Sequence, residues 1–444
     1  MSSNYFKALS ASALLILLTG AVVAQPKDNS PFSRFGIGDF LTSSMPSVHG
    51  MGGLSSVYHD FFEANLDNPA SLGFLQYTSL QVGVYGRMSS LKRYDLSQSA
   101  WSGNLDHLSL NVPLINPLNE ALERRETAFS WGTSISLRPY SQVGYHVRLS
   151  DEIDSIGTVT SDFKGNGGIY QVSWGNGMKY KNLSLGIDLQ YLYGRQVFDE
   201  QTQFPDLENS FNNIFQSEIA YKGFRYRAGL IYDLPLDLNK ARQKNDKPSR
   251  FLSFGTFISS KSSFDTESNH LQIARNPVTA QRDTALYVTG EKADGILPGS
   301  WGVGLMYRHA GDFRIGVDYQ AGQWSNYRND ARPYTAKDSH RFAIGASWIP
   351  DAGSITSYFK RVEYRAGIYT LTDPREIEGS QVKESAVSLA ATLPLISQRN
   401  IGWFQIGLDV GRRTGGENLR DNFVRGKIGF IFNDNSWFIK RKYN

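Results

Sequence analysis

Along most of this chain apolar and polar residues alternate one by one. In the last such stretch Val424, Gly426, Ile428, Phe430 and Phe432 share one face, and Phe423, Arg425, Lys427, Gly429 and Ile431 share the other. Successive side chains of a strand point to opposite sides, so this is a strand with one apolar face and one largely charged or small face. The pattern recurs. Leu183, Leu185, Ile187, Leu189 and Tyr191 oppose Ser184, Gly186, Asp188 and Gln190, and Phe404, Ile406, Leu408 and Val410 oppose Gln405, Gly407, Asp409 and Gly411. A helix repeats every 3.6 residues, and these segments do not. Repetition over nearly the whole chain marks strands that meet lipid on one side and a polar lumen on the other. The sequence therefore predicts an all-β protein, a transmembrane antiparallel β-barrel of the bacterial outer membrane, with lipid as its first partner.

Strands are expected near 77–92, 101–115, 126–150, 157–178, 183–197, 213–236, 250–262, 299–308, 313–324, 339–349, 361–372, 383–394, 402–413 and 422–432. That is fourteen, an even number, so both ends of the barrel face the periplasm. The direction puts the tight connections Tyr180-Lys181-Asn182 and His309-Ala310-Gly311-Asp312 on the periplasmic side. The longest connection, 263–298, falls outside. Segments 126–150 and 213–236 exceed the ~9–11 residues that cross a bilayer. Each is either one strand that bends or extends, at Pro139 and Gly144 or at Gly223, or two short strands, which would give sixteen.

The N-terminus fits export. Lys7 precedes an apolar stretch from Ala8 to Ala24, with small Val22 and Ala24 before a cleavage site. Residues 1–24 read as a signal peptide. Residues 25–76 lack sustained alternation and are rich in Gly, Ser, Pro and Asn. Their backbone needs polar partners, which a lumen offers and lipid does not, so they are expected as a hatch or plug inside the barrel of residues 77–432. Residues 433–444 form a tail carrying Lys440, Arg441 and Lys442, expected in the periplasm.

Composition narrows the chemistry. The 444 residues include 42 Gly, 26 Phe, 23 Tyr and 8 Trp, which suits alternating strands with aromatic girdles. The absence of Cys removes disulfides, thiolate nucleophiles and cysteine metal sites. The seven His show no metal-ligand spacing, and no Gly-x-Ser-x-Gly elbow or nucleotide fingerprint occurs. No catalytic residue, metal or cofactor is assigned, and the chain reads as a non-enzyme. A formal charge of +4 without a basic run gives no reason to expect nucleic acid.

Residues 50–75 read GMGGLSSVYHDFFEANLDNPASLGFL. Met51, Gly52 and Gly53, followed by Asn68, Pro69, Ala70 and Leu72, resemble the N-terminal hatch of the FadL-type family of outer-membrane transporters for long-chain fatty acids and other hydrophobic compounds. The opening Ser30-Pro31-Phe32-Ser33-Arg34-Phe35-Gly36, the Leu297-Pro298-Gly299-Ser300 stretch and the Trp-Phe-Ile-Lys-Arg-Lys tail resemble a divergent branch. That branch is also similar to FadL-like subunits of type IX secretion and barrel-assembly machines. The resemblance implies passive uptake of hydrophobic, fatty-acid-like molecules through a plugged barrel, with sideways exit at a kinked strand; the candidate for that lateral opening is Pro139 and Gly144. The alternative is a non-enzymatic subunit of a secretion or assembly complex, with a protein partner.

The inward faces are expected to carry Arg225, Arg227, Arg314, Asp318, Arg341, Arg361, Glu363, Arg365, Asp409, Arg413, Arg425 and Lys427. They read either as a charged substrate track or as a polar wall that pairs within itself and with the plug through Arg–carboxylate contacts. The second reading is preferred, because such a wall is a poor surface for a bare acyl chain.

Overall fold

A computed structural model describes residues 30–40, 45–115, 128–154, 156–207, 209–238, 248–309, 311–396 and 401–434. The expected signal peptide, residues 25–29 and 41–44 of the expected hatch, and all but the first two residues of the expected tail lie outside the described residues. The strands are β1 (Asp39–Phe40), β2 (Thr78–Arg93), β3 (Leu96–Pro113), β4 (Phe129–Ile153), β5 (Gly157–Tyr180), β6 (Leu183–Gln203), β7 (Asn212–Pro235), β8 (Arg250–Ser259) and β9 (Ser262–Arg275). They continue with β10 (Arg282–Leu297), β11 (Ser300–His309), β12 (Phe313–Gly322), β13 (Arg328–Asn329), β14 (Ser339–Trp348), β15 (Glu363–Ile377), β16 (Ser380–Ile396), β17 (Ile401–Gly415) and β18 (Leu419–Asp434).

Fourteen of them close a ring: β2 to β8, β11, β12 and β14 to β18. Every neighbouring pair is antiparallel, and β18 completes the ring by pairing with β2 from Arg420–Lys92 to Asp434–Thr78. The end that carries the Lys181–Asn182 and 309–312 turns is called the periplasmic end, and the opposite end the outer one.

The alternation has the physical meaning expected of it. On β18, Val424, Ile428, Phe430 and Phe432 point outward and are exposed on the isolated protein, while Phe423, Arg425 and Lys427 point inward and are buried. A water-soluble domain has the opposite polarity. Here the apolar belt is solvated by acyl chains and the charges by each other.

Both over-long segments are single strands, so the count is fourteen. β7 spans 24 residues because it changes partner. Its outer half, Asn212 to Gly223, pairs with β9; its inner half, Arg227 to Pro235, pairs with β8. β8 and β9 are thus one ascending run broken at Ser260-Lys261, and β10 and β11 one descending run broken at Pro298-Gly299. The connection expected outside is this β9–β10 hairpin, standing on the outer end. β4 runs for 25 residues with a bulge between Pro139 and Ser141, where proline has no N–H for the ladder.

The N-terminal segment occupies the inside. It holds a turn of 3-10 helix at Pro31–Arg34, β1, a helix at Pro46–Gly50 and a 3-10 helix at Pro69–Phe74. Inward-facing glycines give it room: a Cβ on Gly345 would stand 2.1 Å from the carbonyl oxygen of Met51, and one on Gly186 would stand 2.3 Å from the carbonyl carbon of Pro69. Two apolar clusters pack inside the ring, the first among the charged residues. Met45, Val48, Met51, Leu54 and Tyr58 pack against Ala343, Tyr369, Ala386 and Phe423. Towards the outer end, Ile37, Val143, Tyr145, Ile169, Phe198, Ile219 and Leu297 pack with Tyr327 and Ala336 of the loop between β12 and β14. In that loop the Ser325 backbone N–H donates to Asp338 at 2.9 Å and holds its carboxyl below the usual range.

Candidate functional site: the wall, the N-terminal segment and the seam

The residues singled out in the N-terminal segment are backbone-shaping residues. Gly52 and Gly53 have φ of +69° and +87°, a left-handed conformation that suits glycine. Their two carbonyls then face Arg341, whose terminal nitrogens donate to Gly52 O at 2.6 Å and Gly53 O at 2.9 Å. Met51 is fully buried. Asn68 caps the second 3-10 helix by accepting from the Ala70 N–H at 3.1 Å, with Pro69 in its first turn. The Asn68 amide also donates to Ser56 O at 2.6 Å, and Ala70 O accepts from the Ser184 hydroxyl at 2.6 Å.

Carboxylates of this segment meet guanidinium groups of the wall on many sides. Asp60 pairs with Arg314 at 2.7 Å. Asp67 pairs with Arg138 at 2.6 Å and with Arg227 at 3.5 Å. Asp39 lies between Arg375 and Arg413. Glu63 accepts from Ser47 at 2.6 Å and Gln405 at 3.0 Å. The sense is reversed at two places: His49 bonds Asp409, and His59 meets Asp233 at 3.2 Å. Asp318 accepts the Ser56 backbone N–H at 2.8 Å. The low dielectric of this interior strengthens each bond and raises the cost of leaving a partner alone.

Within the wall, Arg365 reaches Glu363 at 2.7 Å, and Arg425 lies 3.7 Å from both Asp409 and Glu384. Lys427 pairs with Asp106 at 3.1 Å and Arg413 with Glu384 at 2.7 Å. Arg361 is placed differently from the others: it ends a 3-10 turn, Tyr358–Arg361, just before β15, with its guanidinium 5.3 Å from the Tyr358 ring centre. Its sequence position two before Glu363 continued the alternation, but the strand begins only at Glu363. Sequence reasoning missed Asp39, Asp60, Glu63, Asp67, Arg138, Asp233, Arg375 and Glu384. Arg138, Asp233 and Glu384 lie on expected strands with the inward parity; the others lie in irregular segments or beyond the expected strand ends, where alternation gives no signal.

Arg225 is held by neutral acceptors. Its nitrogens donate to Ser260 O at 3.1 Å, Pro298 O at 3.0 Å, the Ser300 hydroxyl at 3.3 Å and the Tyr140 hydroxyl at 3.4 Å. It thereby binds both joints at which β8 passes into β9 and β10 into β11.

Pro139 and Gly144 border a break in the wall. β3 and β4 pair over only six residues, Leu108 to Pro113 against Gly132 to Leu137. β4 pairs with β5 along its whole length, and β3 with β2, but from Arg138 outward β4 has no β3 partner. Instead Ser141 and Gln142 pair with β1, and Gly144 O accepts the Ser30 N–H at 2.7 Å. The Gly144 N–H donates to the Ser33 hydroxyl at 3.1 Å. The bend is therefore at Pro139, and Gly144 is where the N-terminal segment ties to the freed edge. Beside this seam lies a cavity of about 190 Å³, lined among others by Phe40, Arg138, Pro139, Tyr140, Arg225 and Trp324. Among the described residues no cluster of three or more His, Asp or Glu could hold a metal ion.

Solved structures share this fold. A Pseudomonas aeruginosa FadL homologue is 13% identical, with 89% of this chain and 99% of that one covered and a TM-score of 0.57. The Pseudomonas putida toluene transporter TodX is 14% identical, with coverage of 87% and 97% and a TM-score of 0.55. The monoaromatic hydrocarbon channel CymD is 13% identical, with coverage of 90% and 98% and a TM-score of 0.53. No curated protein matches the sequence. These likenesses show the fold, a closed antiparallel barrel of FadL-like architecture. The profile of one family spans residues 6–444, essentially the whole chain: the protein belongs to the BamG family.

Proposed function

We propose that this barrel passes hydrophobic, fatty-acid-like small molecules sideways between its lumen and the membrane, with the N-terminal segment as a fixed plug. The observation that carries the reading is the seam: β4 leaves β3 at Pro139 beside a cavity whose lining mixes aromatic side chains, such as Phe40, Tyr140 and Trp324, with charged ones. A wall strand that gives up its neighbour and, among the described residues, is covered only by β1 and the Ser30–Ser33 turn is costly and needs a reason. Two of the structural neighbours, a toluene transporter and a hydrocarbon channel, agree with it in substrate class. The plug's many ion pairs argue against its leaving the lumen in each cycle, so a lateral path is the economical one.

The test uses the absence of cysteine. Tyr85 and Gln142 touch across the inner side of the seam at 2.8 Å. Tyr85→Cys with Gln142→Cys, bridged by a bismaleimide, should cut uptake of labelled fatty acid or toluene to the level of cells lacking the protein, while the unbridged pair transports. Full uptake after complete bridging would sink the lateral route.

A second reading is a non-transporting subunit of an outer-membrane secretion or assembly complex. It is favoured by a lumen latched along its length and by an apolar cluster that fills the outer end. A gentle-detergent pull-down with mass spectrometry separates the two. A stoichiometric large partner barrel supports the subunit; a monomer with co-purified lipid supports transport.

A further inference from the structure

At the periplasmic end, between the N-terminal segment and the turns of the wall, lies a second cavity of about 330 Å³. Its cations are Lys179, Lys181, Arg308 and Arg314; its carboxylates are Asp60 and Asp233. Both carboxylates are already engaged, Asp60 by Arg314 at 2.7 Å and Asp233 by Arg308 at 2.7 Å and His59 at 3.2 Å. Even so, Nε of Arg308 and Nη1 of Arg314 are buried without a hydrogen-bond partner. Lys179 has no carboxylate within ion-pair reach among the described residues; its ammonium lies 4.4 Å from the Phe74 ring centre. Buried donors left unmatched are expensive, and their shared sign says what they lack: an acceptor with negative charge.

The apolar part of the cavity is aromatic. Phe61, Phe74 and Phe251 line it, and Phe61 is 44% exposed although it belongs to an otherwise buried segment. Its ring meets Phe62 and Tyr77 at 5.2 and 5.9 Å, so it is held, not loose. The site is inside the ring of strands and opens to the periplasm, which lipid headgroups of the surrounding membrane do not reach.

We infer that this cavity docks an acidic, aromatic-bearing peptide segment of a periplasmic partner protein. Its carboxylates would meet Lys179, Arg308 and Arg314, and an aromatic side chain would lie on Phe61 and Phe74. The chain's own tail, with Lys440, Arg441 and Lys442, has the wrong charge for this role. The inference deepens the subunit reading and fails separately from it, because a pull-down can return a partner barrel whether or not this cavity binds peptide.

The experiment uses the full-length protein in detergent micelles and fluorescence anisotropy of a dansylated peptide, Asp-Phe-Glu-Phe amide, with Asn-Phe-Gln-Phe amide as its neutral twin. The acidic peptide should bind at least tenfold more tightly. Lys179→Met and Phe61→Ser should each weaken it about tenfold, and Lys179→Arg should keep it. Heat-modifiable migration on gels checks folding, and Phe61→Ser, at an exposed position, remains informative if Lys179→Met fails to fold. Equal binding of the neutral twin, or unchanged binding by folded variants, overturns the inference. So does displacement by inorganic phosphate with no effect of Phe61→Ser, which would mean a small-anion site only.

Discussion

Arg314 on β12 and Asp60 in the N-terminal segment form a 2.7 Å ion pair between residues 254 positions apart, with the Asp60 side chain 1% exposed. Such a pair is a registration device. Among the described residues neither member has another full charge of opposite sign bonded to it, and Asp60 gains besides only the Phe61 backbone N–H at 2.7 Å, so the pair carries most of the solvation of both charges.

Asp60→Asn therefore leaves a buried guanidinium alone. Loss of one member of a buried pair costs about 3–5 kcal/mol, and the midpoint of urea unfolding, followed by tryptophan fluorescence in micelles, should fall accordingly. Asp60→Asn with Arg314→Leu should recover more than half of the loss. A midpoint within error of wild type for Asp60→Asn alone would show that the pair holds nothing.

Gly345→Ala should displace the N-terminal segment, because the new Cβ would stand 2.1 Å from Met51 O. The control is Gly426→Ala, where nothing lies within 4 Å. Limited proteolysis should cut within residues 45–76 in the first variant and not in the second. Identical digestion patterns would mean that the strand yields and the segment does not.

Removal of residues 45–76 should turn the barrel into an open pore. Conductance in planar bilayers should rise several-fold above that of the intact protein, with a folded deletion confirmed by heat-modifiable migration. Unchanged conductance would place the permeation block elsewhere, at the apolar outer cluster.

Arg225→Met should loosen the two joints at Ser260 and Pro298 while the ring stays closed. Unmatched buried carbonyls cost about 1–3 kcal/mol each. The expected result is faster amide exchange in the β9–β10 hairpin with the exchange of β14 to β18 unchanged. Uniform exchange across the barrel would assign Arg225 a global role.

The sequence made the ring legible because period-two alternation survives wherever a strand has lipid on one face, as on β6, β17 and β18. It hid the β9–β10 hairpin, whose residues such as Glu267, Glu291 and Lys292 stand clear of the membrane, where both faces are polar. It also hid who pairs with whom. Arg341 could be placed on an inner wall from parity alone, but not opposite Gly52 and Gly53, because nothing local links positions so far apart. Arg361 shows the limit at an element's end: parity extends in sequence past the residue at which the backbone stops being a strand.

The unequal strand lengths have a consequence at the cell surface. At about 3.3 Å per residue, β4 with its 25 residues runs roughly 80 Å, and β14 with its 10 roughly 33 Å. The rim is therefore lopsided: β4 to β7 with β9 and β10 rise as a palisade on one side, and β14 to β18 end lower on the other. An antibody, a phage or a protease arriving from outside meets that palisade first, and an epitope inserted at its crest, near Thr279, would be displayed far from both bilayer and lumen.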